Sequence, residues 1–341
     1  MQVCSNCFKD TELKAFIKNF NNKGNCSVCN TNNTNLIDTE ELLDFFQELM
    51  DNFQLRERGE ALTSKIQNDW SFFTNSKIAT IILNHILPQL KSQIRTSQDL
   101  IDYNDDILEN INHWEILKEE LKWEKRFITD TKYLEDLGWD SFFSSQYELQ
   151  TKDVLFRARV HHQSGDGPYS CENMMSPSKG FVSGGRANPV GIPYLYLSDN
   201  AETVLYEVRA SYLDELSIAY IHLKPEHTNT YIVDFTEETP LFQSGSINKT
   251  IKSSLLKKRI SADLSKPMRR YDSELEYIPT QFICEYIHII TGAKGIRFKS
   301  SLHNKGKNIV IFDQDLMTCS KVDLKKIDKL ELNATLIDDK D

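Results

Sequence analysis

The sequence lacks a long apolar run, and its first residues do not have the pattern of a leader. No stretch approaches the roughly 18 apolar residues that a membrane-spanning helix needs. The first residues, MQVCSNC, contain neither a charged n-region nor an apolar h-region, so no secretory signal is expected. The seven cysteines are an odd number, which, without a secretory signal, does not favour a secreted protein held by disulfides. We therefore expect a cytoplasmic protein in a reducing compartment.

Positive charge is also in short supply. The chain has 40 Lys and Arg against 50 Asp and Glu, for a net charge of −10. Broad nucleic-acid binding needs a positive field to meet the phosphates, so nucleic acid is not the expected partner. With 40% hydrophobic and 26% charged residues, the composition is ordinary for a globular protein, and 341 residues suffice for two or three domains.

The cysteines that are present include two Cys-x-x-Cys pairs, Cys4 with Cys7 and Cys26 with Cys29, with 18 residues between the pairs. This spacing is typical of a four-cysteine zinc site, in which each pair forms a knuckle and two knuckles complete a tetrahedron. Four protein ligands leave no open position, so a structural zinc is predicted and not one that activates water. A redox dithiol is the alternative, but the βαβ pattern that usually accompanies one is absent.

Composition divides the chain into four predicted parts. Residues 1–35 form the zinc module, ending in an Asn/Thr-rich linker, and 36–150 read as a glycine-poor helical bundle. Residues 151–318 alternate short β-branched or aromatic runs with turns, which predicts an α+β domain with a mixed sheet. Residues 319–341 are predicted to be a charged, peripheral tail.

The third part holds the candidate polar residues. Arg157 and Arg159 share one face of a predicted strand, which is either a ligand site or a solvated edge. The loop at 184–189, GGRANP, offers Arg186 and Asn188 beside two glycines that allow close backbone approach to a ligand. Glu207 lies in an apolar helical stretch, where an exposed position is the default interpretation.

Two further pairs are ambiguous by themselves. Ser300 and Ser301 follow a predicted strand, where hydroxyls usually mark only a turn. Tyr194 and Tyr196 could stack on a ligand ring, although strand tyrosines more often pack in a core.

Taken together, these segments resemble the RES domain. The order and approximate spacing match at Arg157 and at five motifs: GGRANP at 184–189, YL and LYEV within 196–208, YIPTQ at 277–281, GIRFKSS at 295–301 and GKNIVIF at 306–312. The resemblance covers roughly residues 153–315. It implies an ADP-ribosyltransferase-like fold, and the zinc-binding, helical part before it would be an N-terminal region of the HEPN/RES type.

The resemblance also implies roles for particular residues. The arginine, glutamate and serine for which the family is named fall on Arg157, Glu207 and Ser300, with Ser301 the adjacent possibility. Arg186 matches the arginine of the family's loop, and with Asn188, Tyr194, Tyr196 and Ser301 it is expected to bind the dinucleotide. Ala187 stands where the family usually has an aromatic residue, so no stacking is expected there.

The activity that the resemblance implies is cleavage of the bond between nicotinamide and ribose in NAD, by hydrolysis or with phosphate as acceptor, in a toxin or defence effector. The residue types fit: a carboxylate can stabilise the oxocarbenium character that develops on the ribose, and arginines bind pyrophosphate. No Gly-x-Gly-x-x-Gly follows a strand, which separates this site from a Rossmann dehydrogenase.

Two other functions remain open. The same pocket could transfer ADP-ribose to a macromolecule. Alternatively, the zinc module and helices could bind a partner without catalysis, helped by a basic segment at 252–270 that includes Lys257, Lys258, Arg259, Lys266, Arg269 and Arg270. Residues 1–150 could meet an antitoxin or sense a trigger, and the chain could form a homodimer.

Overall fold

The computed structural model describes residues 1–143, 146–243, 245–267 and 274–331. It divides into two compact units. Unit 1 is Met1–Ile116 with Glu238–Leu256, and unit 2 is Leu117–Glu237 with Lys257–Asp341. The predicted boundaries near residues 35, 150 and 318 are not where these units divide, and the four-part division stays a prediction.

The elements of unit 1 alternate short strands with helices. In chain order they are β1 (Gln2–Cys4), α1 (Thr11–Lys18), β2 (Lys23–Gly24), β3 (Thr34–Asp38), α2 (Leu43–Met50), β4 (Phe53–Ala61), α3 (Leu62–Trp70), α4 (Ser76–Ile86), β5 (Leu100–Tyr103) and α5 (Asp105–Trp123), whose last residues belong to unit 2. Strands β1, β3 and β2 form a small sheet around the cysteines, and β4 pairs with β5.

Strands β4 and β5 depart from the predicted helical bundle. Their pairing joins Phe53 to Tyr103, far apart in sequence, so no local pattern reveals it. At Gly59 a Cβ would lie 2.6 Å from the carbonyl oxygen of Ile101, which means that only glycine allows this approach of the strands. The helical prediction for 36–150 was therefore incomplete.

Unit 1 is held together by aromatic packing and one buried carboxylate. Phe8, Phe46, Phe72 and Phe73 are all buried and have ring centroids 5.0–6.5 Å apart. Asp10 caps α1 by accepting from the Leu13 N–H at 3.0 Å, and its other oxygen accepts from the N–H groups of Leu241 at 2.7 Å and Phe242 at 3.1 Å. This carboxylate fastens the 238–256 segment to the cysteine module.

Unit 2 is built on one eight-stranded sheet. Its elements are α6 (Thr131–Asp136), α7 (Trp139–Phe142), β6 (Gln146–Leu149), β7 (Leu155–Val160), β8 (Leu195–Ser198), α8 (Thr203–Glu207), β9 (Glu215–Leu223), β10 (Thr230–Asp234), α9 (Ile247–Ser265, begun in unit 1), α10 (Ile278–Thr291), β11 (Gly295–Lys299), β12 (Lys307–Ile311) and β13 (Met317–Lys326).

The strand order is β13-β9-β7-β8-β12-β11-β10-β6. Strands β10 and β11 are parallel and the other neighbours are antiparallel, so the predicted α+β class with a mixed sheet is confirmed. One face packs an apolar core that includes Leu195, Ile221, Ile309 and Ile311. An ADP-ribosyltransferase-like relationship stays a prediction.

Strand β13 differs from the predicted peripheral tail. Residues 319–326 of the predicted tail belong to β13, which pairs with β9 along its whole length, from Met317 opposite Leu223 to Lys326 opposite Glu215. The tail prediction rested on charge, but an edge strand with one exposed side accommodates charged residues and discourages edge-to-edge association. Residues 332–341 of that predicted tail lie outside the described residues, as do Arg269 and Arg270 of the basic segment.

No helix among the described residues combines the length and apolar character needed to cross a bilayer.

Candidate active site

A cavity of about 400 Å³ lies in unit 2, within the usual size of a small-molecule site. Its charged lining consists of Arg157, Arg186, Arg209 and Glu207. The rest of the lining is mixed and comprises Ala158, Tyr196, Leu197, Ser198, Val204, Val208, Leu264, Ser265, Pro267, Tyr277, Phe298, Ser301, Leu302 and Asn308. Three guanidiniums with one carboxylate suit an anionic ligand that also carries or develops a positive centre.

Glu207 is the last residue of α8, and both of its hydrogen bonds go to one oxygen. The Ser300 hydroxyl donates to Oε1 at 2.7 Å, and the Asn308 amide donates to the same atom at 2.8 Å. Glu207 is exposed, as the default interpretation of the sequence expected, and it also lines the cavity. Glu207 and Ser300, to which the resemblance assigns two of the family's named positions, are therefore in direct contact.

Ser300 is buried, and the turn after β11 holds its hydroxyl in place. The Oγ accepts from the N–H groups of Leu302 at 3.2 Å and His303 at 3.1 Å. Ser301 instead lines the cavity. The two serines therefore differ in position, since Ser300 contacts the glutamate and Ser301 lines the cavity, and the assignment of the family's serine to Ser300 stays a prediction.

The turn that carries Ser300 packs tightly against α8. A Cβ on Gly306 would overlap the Thr203 hydroxyl at 1.8 Å, so only glycine fits there. The Thr203 hydroxyl lies 2.8 Å from Nδ1 of His303, whose ring stacks on Tyr206 at 5.1 Å between centroids. These contacts fix the serine relative to the helix that ends in Glu207.

Arg157 lies on β7 and lines the cavity, and one nitrogen of its guanidinium is buried. Its Nη1 atom has no hydrogen-bond partner within the described part of the chain. Burial, aided by the neighbouring charge of Arg159, lowers the pKa of Arg157 to about 10, which leaves the guanidinium charged at neutral pH. Arg159 itself donates to the Met175 carbonyl at 2.8 Å and does not line the cavity. An unsatisfied buried donor of this kind is expected to find its partner in a ligand.

Arg186 combines a structural and a ligand-facing position. Its Nη1 donates to the carbonyls of Asp263 at 2.9 Å and Leu264 at 3.2 Å, at the end of α9. The guanidinium lies 5.8 Å from the centre of the Tyr277 ring. Burial lowers its pKa, and the charge of Glu207 partly opposes that shift. Arg186 lines the cavity as predicted, with part of its hydrogen-bonding capacity already used.

Asn188 and Tyr196 support the loop that presents Arg186. The buried Asn188 amide donates to the carbonyls of Ser183, Pro189 and Ile192, and its oxygen accepts from the Tyr196 hydroxyl at 2.7 Å. Asn188 is absent from the cavity lining, so its geometry favours loop support over the predicted ligand binding.

Tyr196 and Tyr194 also differ in whether they line the cavity. Tyr196 lines the cavity, and its hydroxyl accepts from the Ala187 N–H at 3.0 Å. Tyr194 does not line it and packs against Phe312, with 4.8 Å between ring centroids. The core-packing alternative is the one that the structure supports for Tyr194.

The lining residues that were not predicted include Asn308, Arg209 and Tyr277. Asn308 and Tyr277 lie inside motifs that carry the family resemblance, and that signal could have identified them. Arg209 has a left-handed backbone with φ of 52° just after α8, which no sequence pattern announced. Sparse backbone conformations of this kind often accompany functional sites.

The four cysteines of unit 1 meet at a single point, as their spacing predicts. One Sγ atom from each of Cys4, Cys7, Cys26 and Cys29 lies within 4.8 Å of the others, and the closest pairs are 3.4 and 3.5 Å apart. A tetrahedral zinc with bonds of about 2.3 Å requires sulfur–sulfur distances of about 3.8 Å. The cluster therefore fits a four-thiolate metal site, while the identity of the metal stays a prediction.

A disulfide in unit 2 was not predicted. Cys171 and Cys319 are bonded, with 5.5 Å between their Cα atoms and 148 residues between them in sequence. The odd cysteine count had suggested reduced thiols throughout. The bond joins a segment that follows β7 to β13, and the pairing of β13 with β9 is what brings the two cysteines together.

Comparison with known proteins gives one family and one weakly similar structure. The RES domain family matches residues 154–333. No curated protein matches the chain. A chain in the crystal structure of the M. tuberculosis MbcT-MbcA toxin-antitoxin complex is 12% identical, with a TM-score of 0.29, covering 65% of this chain and 92% of that one. A likeness of this size supports no inference about fold or function.

The family match begins three residues before Arg157 and spans the cavity, α8 and β13. It does not reach the cysteine module, so an N-terminal region of the HEPN/RES type stays a prediction. The match covers just over half of the chain and confirms the resemblance read from the motifs. The chain belongs to the RES domain family.

Proposed function

We propose that this protein degrades NAD by cleaving the bond between nicotinamide and ribose, as a toxin or defence effector. The observation that supports this most is the arrangement of the cavity, in which Glu207 is the single carboxylate among Arg157, Arg186 and Arg209. NAD combines an anionic pyrophosphate with a cationic nicotinamide ribose, and each has a complement in that lining.

The chemistry needs little beyond these groups. The bond between the ribose C1′ and the nicotinamide nitrogen breaks, and its electron pair leaves on neutral nicotinamide without protonation. Glu207 stabilises the positive charge that develops on the ribose and accepts hydrogen bonds from its hydroxyls. In hydrolysis, the oxygen of a water molecule then bonds to C1′ and the water loses a proton. In phosphorolysis, an oxygen of phosphate bonds to C1′ instead. The arginines hold the pyrophosphate.

Incubation of the purified protein with NAD tests this proposal. Release of nicotinamide, followed by chromatography, is expected from the wild-type protein and not from Glu207→Gln. Free ADP-ribose indicates hydrolysis, and a phosphorylated ADP-ribose formed only with added phosphate indicates phosphorolysis. Label from NAD in protein or nucleic acid would identify the transferase alternative. Absence of nicotinamide release under all these conditions would overturn the proposal.

We further propose that Cys4, Cys7, Cys26 and Cys29 hold a structural zinc ion. Their sulfurs all lie within 4.8 Å of one another, close enough to share one ion, and a small module gains much of its folding free energy from such an ion. Because four protein ligands close the coordination shell, the ion has no part in bond cleavage. Elemental analysis of the protein, purified without added zinc, measures its zinc content directly.

We also propose that a partner or a trigger controls this activity. An enzyme that consumes NAD must be restrained in its own cell, and residues 1–150 are where an antitoxin or a trigger is proposed to act. A cytoplasmic location and a homodimer likewise stay predictions.

A further inference from the structure

The two carboxylate oxygens of Glu207 have different surroundings. Oε1 accepts two hydrogen bonds, from Ser300 at 2.7 Å and Asn308 at 2.8 Å. Oε2 has no hydrogen-bond partner among the described residues, although the side chain is exposed and lines the cavity. One oxygen is therefore saturated by the protein and the other is available to a ligand.

The proton on Ser300 has one place to go. Its Oγ lies near the N–H groups of Leu302 and His303, which can only donate, so they occupy its acceptor positions. The remaining hydroxyl proton then points at Glu207 Oε1. This bond requires an acceptor, which an ionised Glu207 provides.

Asn308 reaches the same oxygen from the sheet. In the register of β12 it lies opposite Ser198 of β8 and Phe298 of β11, and all three line the cavity. A central strand paired on both sides fixes the backbone of Asn308, and this sets the position from which its side-chain amide reaches Glu207. Ser300 and Asn308 are both neutral, which means that they orient the carboxylate without cancelling the charge that the transition state needs.

We propose that Asn308 is a positioning residue that, together with Ser300, holds Oε1 of Glu207, so that Oε2 is the atom that contacts the substrate. This inference rests on the proposed cleavage of NAD. It assigns the two oxygens separate tasks and adds a residue to the three for which the family is named. Loss of Asn308 should therefore impair the chemical step more than substrate binding.

The test uses the full-length protein and two substitutions at this position. Asn308→Ala removes one hydrogen bond to a charged group, and kcat for NAD should fall about 10- to 100-fold while KM changes less than about threefold. Asn308→Asp places a second carboxylate beside Glu207, so the pair holds a proton to higher pH. The acid limb of its pH–rate profile should then move to higher pH by at least about one unit.

Asn304→Asp is the matched control. It adds the same charge four residues earlier, in the turn before β12, at an exposed residue that does not line the cavity, and its pH profile should coincide with that of the wild type. Thermal melts of all variants separate loss of positioning from loss of folding. If the wild type does not cleave NAD, the proposed function fails. If the wild type is active, but Asn308→Ala keeps its kcat or Asn308→Asp keeps its pH profile, the positioning inference is wrong.

Discussion

The cysteine cluster of unit 1 and the cavity of unit 2 both gather polar side chains, but they do so differently. The cysteines come from two short segments close in sequence, and their four sulfurs are close enough to share one ion. The cavity draws on residues from Arg157 to Asn308, and it leaves a buried arginine donor and one carboxylate oxygen without partners among the described residues. The first arrangement is complete in itself once a metal is bound, and the second is complete only with a ligand.

The comparison also extends to the remaining cysteines. The cluster contains unbonded thiols, whereas Cys171 and Cys319 of unit 2 are joined covalently. A reductant should therefore affect only one of the two units. The thiolates of unit 1 remain metal ligands in reducing conditions, but the disulfide of unit 2 is broken.

The largest expected effect is on the cluster. Cys26→Ser removes one of four ligands, and zinc content should fall from about one ion per chain to well below half, since metal affinity and folding are linked. The melting temperature should drop by more than about 5 °C. Elemental analysis and a thermal melt measure both. Cys284→Ala, at a buried cysteine outside the cluster, should keep its zinc. Equal zinc in the two variants would show that the cluster is not the metal site.

The second-largest expected effect concerns the cavity alone. Glu207→Gln keeps the shape and the oxygen that accepts from Ser300 and Asn308, but it removes the charge that we propose stabilises the ribose. We expect NAD cleavage to fall by at least about 100-fold, the scale of a lost preorganised transition-state contact. Zinc content should not change. Glu226→Gln, at an exposed residue outside the cavity lining, should retain full activity, and similar losses in both variants would contradict the assignment.

A reductant should weaken unit 2 and leave the cluster loaded. Opening the loop closed by Cys171 and Cys319 should lower the free energy of unfolding by about 2–4 kcal/mol. Urea unfolding with and without dithiothreitol measures it. The variant carrying both Cys171→Ser and Cys319→Ser should resemble reduced wild type and show no response to dithiothreitol. Free-thiol titration that finds both cysteines reduced in the untreated protein would remove the basis of this prediction.

The smallest expected effect concerns the arginines that we propose bind the pyrophosphate of NAD. Arg157→Lys keeps the positive charge but loses the planar, bidentate geometry, and KM for NAD should rise about 10-fold with a smaller change in kcat. Steady-state kinetics provide both constants. Arg159→Lys, two residues along β7, should change KM less than about threefold, because Arg159 donates to Met175 and does not line the cavity. A larger effect at Arg159 would mean that the wrong arginine of the pair has been assigned.

The sequence predicted much of this site, but not the role of each residue in it. Arg157, Arg186, Tyr196, Glu207 and Ser301 all line the cavity, and the catalytic and ligand-binding roles that the family resemblance gives them stay predictions. Asn188 and Tyr194 carry motif positions too, yet one supports a loop and the other packs on Phe312. A motif records which residues belong to a site, whereas the rotamer and the neighbours decide which side chains face the ligand.

The misses in the fold have a similar origin. The pairing of β4 with β5 and that of β13 with β9 depend on partners distant in sequence, so helix-like or charged local composition was misleading. The same long-range pairing placed Cys171 beside Cys319.

By itself, the sequence determined that four cysteines at short spacing would meet, and it determined the family through ordered motifs. Both follow from the covalent chain, since a knuckle needs only a few residues and a motif keeps its order however the chain folds. Only the tertiary structure decided that Ser300 and Asn308 share one oxygen of Glu207 and that the other faces the cavity. The physical reason is that strand register and a tight turn bring these three side chains together across about a hundred residues of sequence, where hydrogen-bond geometry tolerates only a few tenths of an ångström.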